Sequence, residues 1–357
     1  MSLYEQLRRK NSSVSKWFRT YIKTRLAIKF VDKINDEINK YPIVISPNHT
    51  DYALAGTAFK YTFRWLHGPL TDNIVALSGA YFLPYKWDEA PYFVSRVIQE
   101  GNATQDLEKK AELSIILAWF DIFARWRKVV PPLQMLSEKQ NGRNWKVAYP
   151  LVSPQLVDDV VQLAHGAIET WGSALNKPFI FNPIFTGSTT VGGADADWIN
   201  QRRLYECKCT MNPQPFTKDT LLQALAYVLL DYDNEYAIKG LGWYYARRNV
   251  CVGYSLVKIL RLLGLSTDLE ELRYLFANRD YSGDLEPFTN KAKSRRRKRL
   301  EQENIQIREI SMGAFDDWCK VHEIKIKETS VEWRPDNRRV ITIYMRDDSI
   351  EKFLITL

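Results

Sequence analysis

The hydrophobic positions change period several times along the chain, and those changes mark its elements. Residues 1–40 set Trp17, Tyr21, Leu26, Ile28 and Phe30 among many Lys and Arg, the texture of basic helices. The apolar run YPIVIS, followed by Pro47 and Asn48, predicts a short buried strand entering a loop. Between Gln105 and Arg127, Leu113, Ile116, Leu117, Trp119, Phe120, Ile122 and Phe123 cover more than one helical face. A helix there must be buried between neighbours, and Pro131 and Pro132 end it.

A different organisation begins at Ser153-Pro154, a Ser cap with Pro at the first helical position. That helix runs to about Leu175 and keeps Leu156, Val160, Leu163, Ala167 and Trp171 on one side. After Pro178 the texture turns to strands, in FIFNPIF, VGGADADWI and RRLYECKCT. Thr217 and Asp219 open an amphipathic helix, DTLLQALAYVLLDY. YAIKGLGWYYAR and NVCVGYSL then predict two more strands, and VKILRLLG a short helix. The order helix, three strands, helix, strands predicts an α/β unit of about 110 residues at 155–262. It lies between a mainly helical region, 1–154, and a mixed α+β region, 263–357. In the latter, KAKSRRRKR (291–299) predicts an exposed basic helix running into LEQENIQIREI, and VEWRPDNRRVITIYMR predicts a hairpin with Asp336-Asn337 in its turn.

Composition narrows the class. Hydrophobic content of 45% and charged content of 26% suit a soluble globular protein. MSLYEQLRRK lacks a signal-peptide core, and no uncharged run approaches the roughly 20 residues that span a bilayer, so a cytoplasmic protein without membrane contact is expected. The formal net charge of +8 favours an anionic partner such as nucleic acid, although charge speaks to association and not to fold. The four cysteines, Cys207, Cys209, Cys251 and Cys319, form no CxxC pair, which suits a reducing compartment. With only four scattered His, a zinc or iron–sulfur module is not expected.

Chemistry enters at the hairpin. If VGGADADWI and RRLYECKCT pair antiparallel around a turn at Gln201-Arg202, Asn200 stands opposite Arg203, Asp197 opposite Glu206 and Asp195 opposite Lys208. Alternation then puts Asp195, Asp197, Glu206 and Lys208 on one face. Ala194, Ala196, Trp198, Tyr205, Cys207 and Cys209 fall on the other, a core face. Three carboxylates on one face repel unless neutralised, and a hard cation such as Mg²⁺ is the simplest answer. A cation so held polarises a phosphate oxygen and acidifies water, while a nearby lysine orients that water or stabilises developing charge. The alternative is an exposed charged face with cross-strand ion pairs such as Asp195 with Lys208. The turn lacks Asn-Gly or Asp-Gly, and a register slip would disperse the cluster.

GGADADWI, ECK and the QALAY of Gln223–Tyr227 together resemble the RecB-like branch of the PD-(D/E)xK nuclease superfamily, over about residues 155–262. The continuation GLGWYYARRNVCVGYSL is similar to the strands that close such domains. The resemblance implies a restriction-endonuclease-like core, a central mixed sheet flanked by helices. It implies Asp197 and Glu206 as ligands of Mg²⁺ or Mn²⁺, and Lys208 as the lysine that positions or activates water. Gln223 and Tyr227, four apart on one helical face, match the motif that braces the site or the DNA strand. The first helix of this family often supplies a ligand. Glu169 is favoured there over His165, because Mg²⁺ prefers oxygen. Asp195 is either a further ligand or a partner for Lys208.

The activity so implied is hydrolysis of DNA phosphodiesters, and an RNA phosphodiester would suit the same centre. Arg202, Arg203, Arg247, Arg248, Arg295, Arg296 and Arg297 are the candidate phosphate contacts. Antiviral defence or restriction, and DNA repair, both fit such a protein. Two rivals stand beside this reading: a nuclease fold that holds DNA without cutting it, and an assembly subunit whose N-terminal region meets a protein partner or a second copy.

Overall fold

The computed structural model describes residues 2–71, 74–83, 87–138, 144–172 and 177–280, and strands at 308–311, 326–333, 338–345 and 350–356. The chain divides into two compact units. Met1–Leu70 and Ile74–Gly283 form the first; Thr71–Asn73 and Asp284–Leu357 form the second. Regions 1–154 and 155–262 thus belong almost wholly to one unit.

Its helices are α1 (Leu3–Arg8), α2 (Ser13–Tyr21), α3 (Thr24–Ile38), α4 (Tyr52–Trp65), α5 (Val75–Tyr81), α6 (Ala90–Ala103), α7 (Leu107–Trp126), α8 (Pro131–Glu138), α9 (Pro154–Trp171), α10 (Lys218–Leu230), α11 (Leu256–Leu263) and α12 (Leu269–Ala277). Its sheet holds β1 (Phe179–Phe181), β2 (Trp198–Asn200), β3 (Arg203–Lys208), β4 (Gly240–Tyr245) and β5 (Val250–Ser255), in that spatial order. Only β3 and β4 run parallel, because α10 carries the chain between them; the other neighbours are antiparallel. The fold is therefore mixed α/β, with a five-stranded mixed sheet flanked by helices.

Both sheet faces are covered. Trp198, Tyr205, Cys207 and Tyr244 pack against Phe59 and Phe63 of α4 and Leu163, Ala167 and Trp171 of α9. On the other face Leu204, Leu241, Trp243 and Val252 share a core with α10, with Phe30 and Ile34 of α3, and with Ile259 and Leu260 of α11. Behind α4 and α9 lies a further helical layer built on α7, whose contacts run to α4, α5, α6 and α9. That sandwiching explains why α7 is apolar on most sides, and Asp106 caps its start through Glu108 and Lys109.

Several expectations are corrected. YPIVIS is not a strand: the Val44 and Ile45 N–H groups both donate to one carbonyl, that of Arg247, so no ladder forms. Pro131 and Pro132 open α8, where the missing N–H groups cost nothing. α10 is buried on nearly every side instead of amphipathic, since α1, α3 and α12 cover the surface away from the sheet. VGGADADWI yields strand only at Trp198–Asn200, because Gly192 and Gly193 take φ of +71° and +105° and turn the chain ahead of it. Ala194 and Ala196 accordingly join the α10-side core and leave the face of Trp198.

The second unit contains β6 (Arg308–Ser311), β7 (Ile326–Trp333), β8 (Arg338–Met345) and β9 (Ile350–Thr356), in the order β6-β9-β8-β7. β7 and β8 pair antiparallel as the predicted hairpin, with Trp333 opposite Arg339. Arg308–Ile310 lie in strand β6, parallel to β9, and not in a helix continuing from the basic run. The run itself, with Arg295, Arg296 and Arg297, lies outside the described residues, as do Asp336-Asn337 and Cys319.

Candidate active site at the end of strand β3

The β2–β3 turn has the predicted register. Asn200 stands opposite Arg203 and Trp198 opposite Tyr205, with Gln201 and Arg202 both left-handed at φ of +49° and +61°. That conformation matches the right-handed twist of the strands, and the chain adopts it without the Asn-Gly that favours it. Beyond Trp198 the pairing stops, so Glu206, Cys207 and Lys208 have β4 on one side and no strand on the other. The Asp197 side chain takes over there. Its Oδ2 accepts the Cys207 N–H at 2.7 Å, and its Oδ1 accepts from Lys60 Nζ of α4 at 2.6 Å. Asp197 is thus fixed at the strand edge, with 12% of its side chain exposed.

Glu206 and Lys208 alternate with Cys207 and so point to the α10 side, where Lys208 Nζ donates to Glu206 Oε2 at 3.2 Å. Glu206 is only 4% exposed. Burial, and then the Asp197 charge, push its carboxyl up to about 7 against the pull of Lys208 and Lys60. For Asp197 burial works in the same direction, but the ammonium groups of Lys60 and then Lys208 outweigh it and hold the carboxyl below its ordinary value. Burial works to lower Lys60, and Asp197 and Glu206 overcome it to hold that ammonium above its ordinary value. The two carboxyls therefore differ near neutral pH: Asp197 is ionised while Glu206 is poised between its two forms.

Gln223 and Tyr227 face the sheet from α10. Gln223 Nε2 donates to Tyr227 Oη at 2.7 Å, and the Tyr227 ring stacks on Phe185 at 5.6 Å. Burial, followed by the nearby Glu206 charge, holds the Tyr227 phenol well above its ordinary range. The pair stands on the Glu206 side of the sheet, with Tyr227 inside the core.

Other candidates lie elsewhere. Asp195 is not beside Lys208. It bridges to Ile184 and gives both carboxylate oxygens to Arg125 of α7, at 3.2 and 2.8 Å, and Arg125 also donates to Asp121 at 2.8 Å. Glu169 and His165 are exposed, because the apolar stripe of α9 that includes Leu163, Ala167 and Trp171 faces the sheet; that face is the one opposite Glu206. Glu169 is withdrawn as a ligand on that ground. Arg247 is withdrawn as a phosphate contact. It is 1% exposed and pairs with Asp159 through two bonds of 2.7 and 2.8 Å, while His49 meets the same carboxylate at 3.0 Å. Arg248 donates to the Tyr41 carbonyl and Arg202 to that of Ala237. The Arg203 side chain lies over the backbone of Gly240 and Gly253.

Lys60 and Arg125 are the residues that sequence reasoning missed. Lys60 lies 137 positions before Asp197 and Arg125 lies 70 before Asp195, so no local spacing connects them. One signal was present: Lys60 and Arg64 sit four apart in the otherwise apolar α4, where two cations on one face demand partners. Arg64 finds the Asn182 side chain at 2.6 Å.

The electrostatic need for a divalent ion is therefore met in part by the chain's own Lys60, Lys208 and Arg125. Among the described residues no group of three or more His, Cys, Asp or Glu is arranged to hold a metal. Two hard carboxylates converge, however, and Mg²⁺ takes only one or two from a protein, filling its remaining positions with water and phosphate oxygens. The buried, proton-retaining Glu206 is the group that a cation would ionise. Asp197 and Glu206 thus fit a loosely held hard cation and not a closed structural site. No helix among the described residues is long and apolar enough to cross a membrane. Comparison with protein-family models, with curated proteins and with solved structures finds no match to this chain.

Proposed function

We propose that the chain is a Mg²⁺- or Mn²⁺-dependent deoxyribonuclease of the PD-(D/E)xK type, hydrolysing phosphodiesters at the end of β3. The observation that carries this reading is the convergence of Asp197, Glu206 and Lys208 at the strand edge beyond the β2 pairing, with Lys60 reaching in from α4. The element order α9, β1, β2, β3, α10, β4, β5 and the Gln223–Tyr227 pair on the Glu206 side of the sheet support it. Asp197 and Glu206 would hold the ion, which when bound polarises a phosphate oxygen and acidifies water. Lys208 orients the attacking water and stabilises the charge that grows on the phosphate. Lys60 holds Asp197 ionised and in place, and its ammonium, with 30% of the side chain exposed, adds positive charge where phosphate approaches.

The decisive experiment is cleavage of single- and double-stranded DNA with Mg²⁺ or Mn²⁺, comparing wild type with Glu206→Ala and Lys208→Ala. Both substitutions should lower cutting by roughly 10²–10⁴-fold, the scale of losing a group that stabilises transition-state charge or moves a proton. Equal cutting by all three proteins rejects the assignment. The Lys60–Asp197 pair favours one second reading, a nuclease fold that grips DNA without turnover because its own cation stands at the acidic centre. Cation-independent DNA binding with no cutting by wild type would select it.

A further inference from the structure

Linked to this centre through Arg125 and Asp195 is a surface that phosphodiester hydrolysis alone does not use. Arg125, which fastens Asp195, is followed by Trp126 at the end of α7, and Trp126 is 63% exposed. Phe82, just past α5, is 62% exposed. Tyr4 of α1 meets Trp126 edge-on at 6.1 Å between ring centres, and the Arg8 guanidinium lies over the Tyr4 ring at 5.5 Å. Arg127 ends α7 in a left-handed conformation and stands over Phe82 at 5.4 Å. The start of α1 is tied to the loop ahead of Asp195, where the Leu3 N–H meets the Gly193 carbonyl at 3.4 Å. Rings and guanidinium groups are therefore joined, through Arg125 and Gly193, to the segment that carries Asp197.

Scattered exposed aromatics need no explanation, but two exposed rings and the half-buried Tyr4, interleaved with arginines, have a specific chemistry. Aromatic rings stack on unpaired bases whatever their identity, and guanidinium groups follow the phosphates. A duplex keeps its base faces stacked on each other and offers such rings little. We propose that Trp126, Phe82 and Tyr4, with Arg8 and Arg127, form a binding surface for single-stranded DNA that leads a strand to the β3 centre. What the strand is led to rests on the proposed function; the binding itself does not.

The test is fluorescence anisotropy with a labelled oligo(dT) of about 20 nucleotides and a blunt duplex of the same length, in chelator so that nothing is cut. Wild type should prefer the single strand. Trp126→Ala should weaken oligo(dT) binding roughly tenfold and Phe82→Ala/Trp126→Ala further, with duplex binding changed less than about twofold. Arg127→Ala should reduce the salt dependence by about one phosphate contact. All three side chains are on the surface, so the variants should keep the wild-type melting temperature. Equal losses on strand and duplex, or no loss on either, would overturn the proposal. So would sedimentation showing a wild-type dimer that Trp126→Ala dissociates, since the surface would then belong to a second copy. These outcomes are independent of cleavage. Trp126 variants that bind oligo(dT) normally sink this surface while Glu206-dependent cutting stands, and the expected binding with no cutting sinks the nuclease and keeps the surface.

Discussion

Glu206 is the residue on which pH acts most directly. Its carboxyl sits in the α10-side core and is pushed up to about 7 by burial and by Asp197, from an ordinary value of 4.5. A carboxyl raised in the fold stabilises the protein fully while protonated, below the ordinary value, and loses that contribution as pH rises through its folded value. Wild type measured in chelator should therefore lose stability between pH 5 and pH 8 relative to Glu206→Gln, by on the order of 3 kcal/mol. Urea denaturation of both proteins across that range checks it, and parallel curves would refute the buried-acid account. Asp197 is itself held in the opposite direction by Lys60 and Lys208, but its charge is one cause of the Glu206 shift, so Asp197→Asn should shrink the pH dependence without abolishing it.

At the scale of elements, the β2–β3 turn decides whether the site exists at all. A slip of one residue would send Glu206 and Lys208 to the α4 face and bring Tyr205 and Cys207 into their place. The register is held although Gln201 and Arg202 are both left-handed, a conformation that costs L-residues roughly 1–2 kcal/mol each. Gln201→Asn with Arg202→Gly supplies the residues such a turn favours. The double substitution should raise stability by about 1 kcal/mol, after the loss of the Arg202 bond to the Ala237 carbonyl. An upward shift of the thermal midpoint is the readout; a fall would mean that the arginine bond outweighs the backbone strain. Elsewhere, elements were legible where their pattern was local. α9 follows from its N-terminal Pro and apolar spacing, the start of α10 from its Thr217 cap, and β3 to β5 from aromatic and β-branched runs. YPIVIS and most of VGGADADWI form no strand because apolar content predicts burial, whereas strand also requires a partner ladder.

For the whole molecule, the consequence is that 155–262 shares its cores with the N-terminal helices and with α12. α10 is covered on its outer side by α1, α3 and α12, and the other sheet face by α4. Removing residues 1–154 would expose Phe216, Leu221 and Trp243, among others that share a core with Phe30 and Ile34. It would also delete Lys60 and Arg125. The fragment 155–262 should lack cooperative unfolding and bind hydrophobic dye, in contrast to the full chain. A sharp calorimetric transition for the fragment would contradict that.

What the sequence determined by itself was the order of the central elements, the hairpin register and the alternation that puts Glu206 and Lys208 on one face. These depend on neighbours within a few residues, where period and turn position suffice. Only the tertiary structure decided which charges meet. It turned Asp195 to Arg125, buried Arg247 against Asp159, left Glu169 in solvent and brought Lys60 to Asp197. A charged side chain takes the partner that packing delivers, and the helices that deliver these partners lie scores of residues away. The distance along the chain carries no trace of that proximity, so the helical first third, silent as sequence, supplies Lys60 to the candidate site.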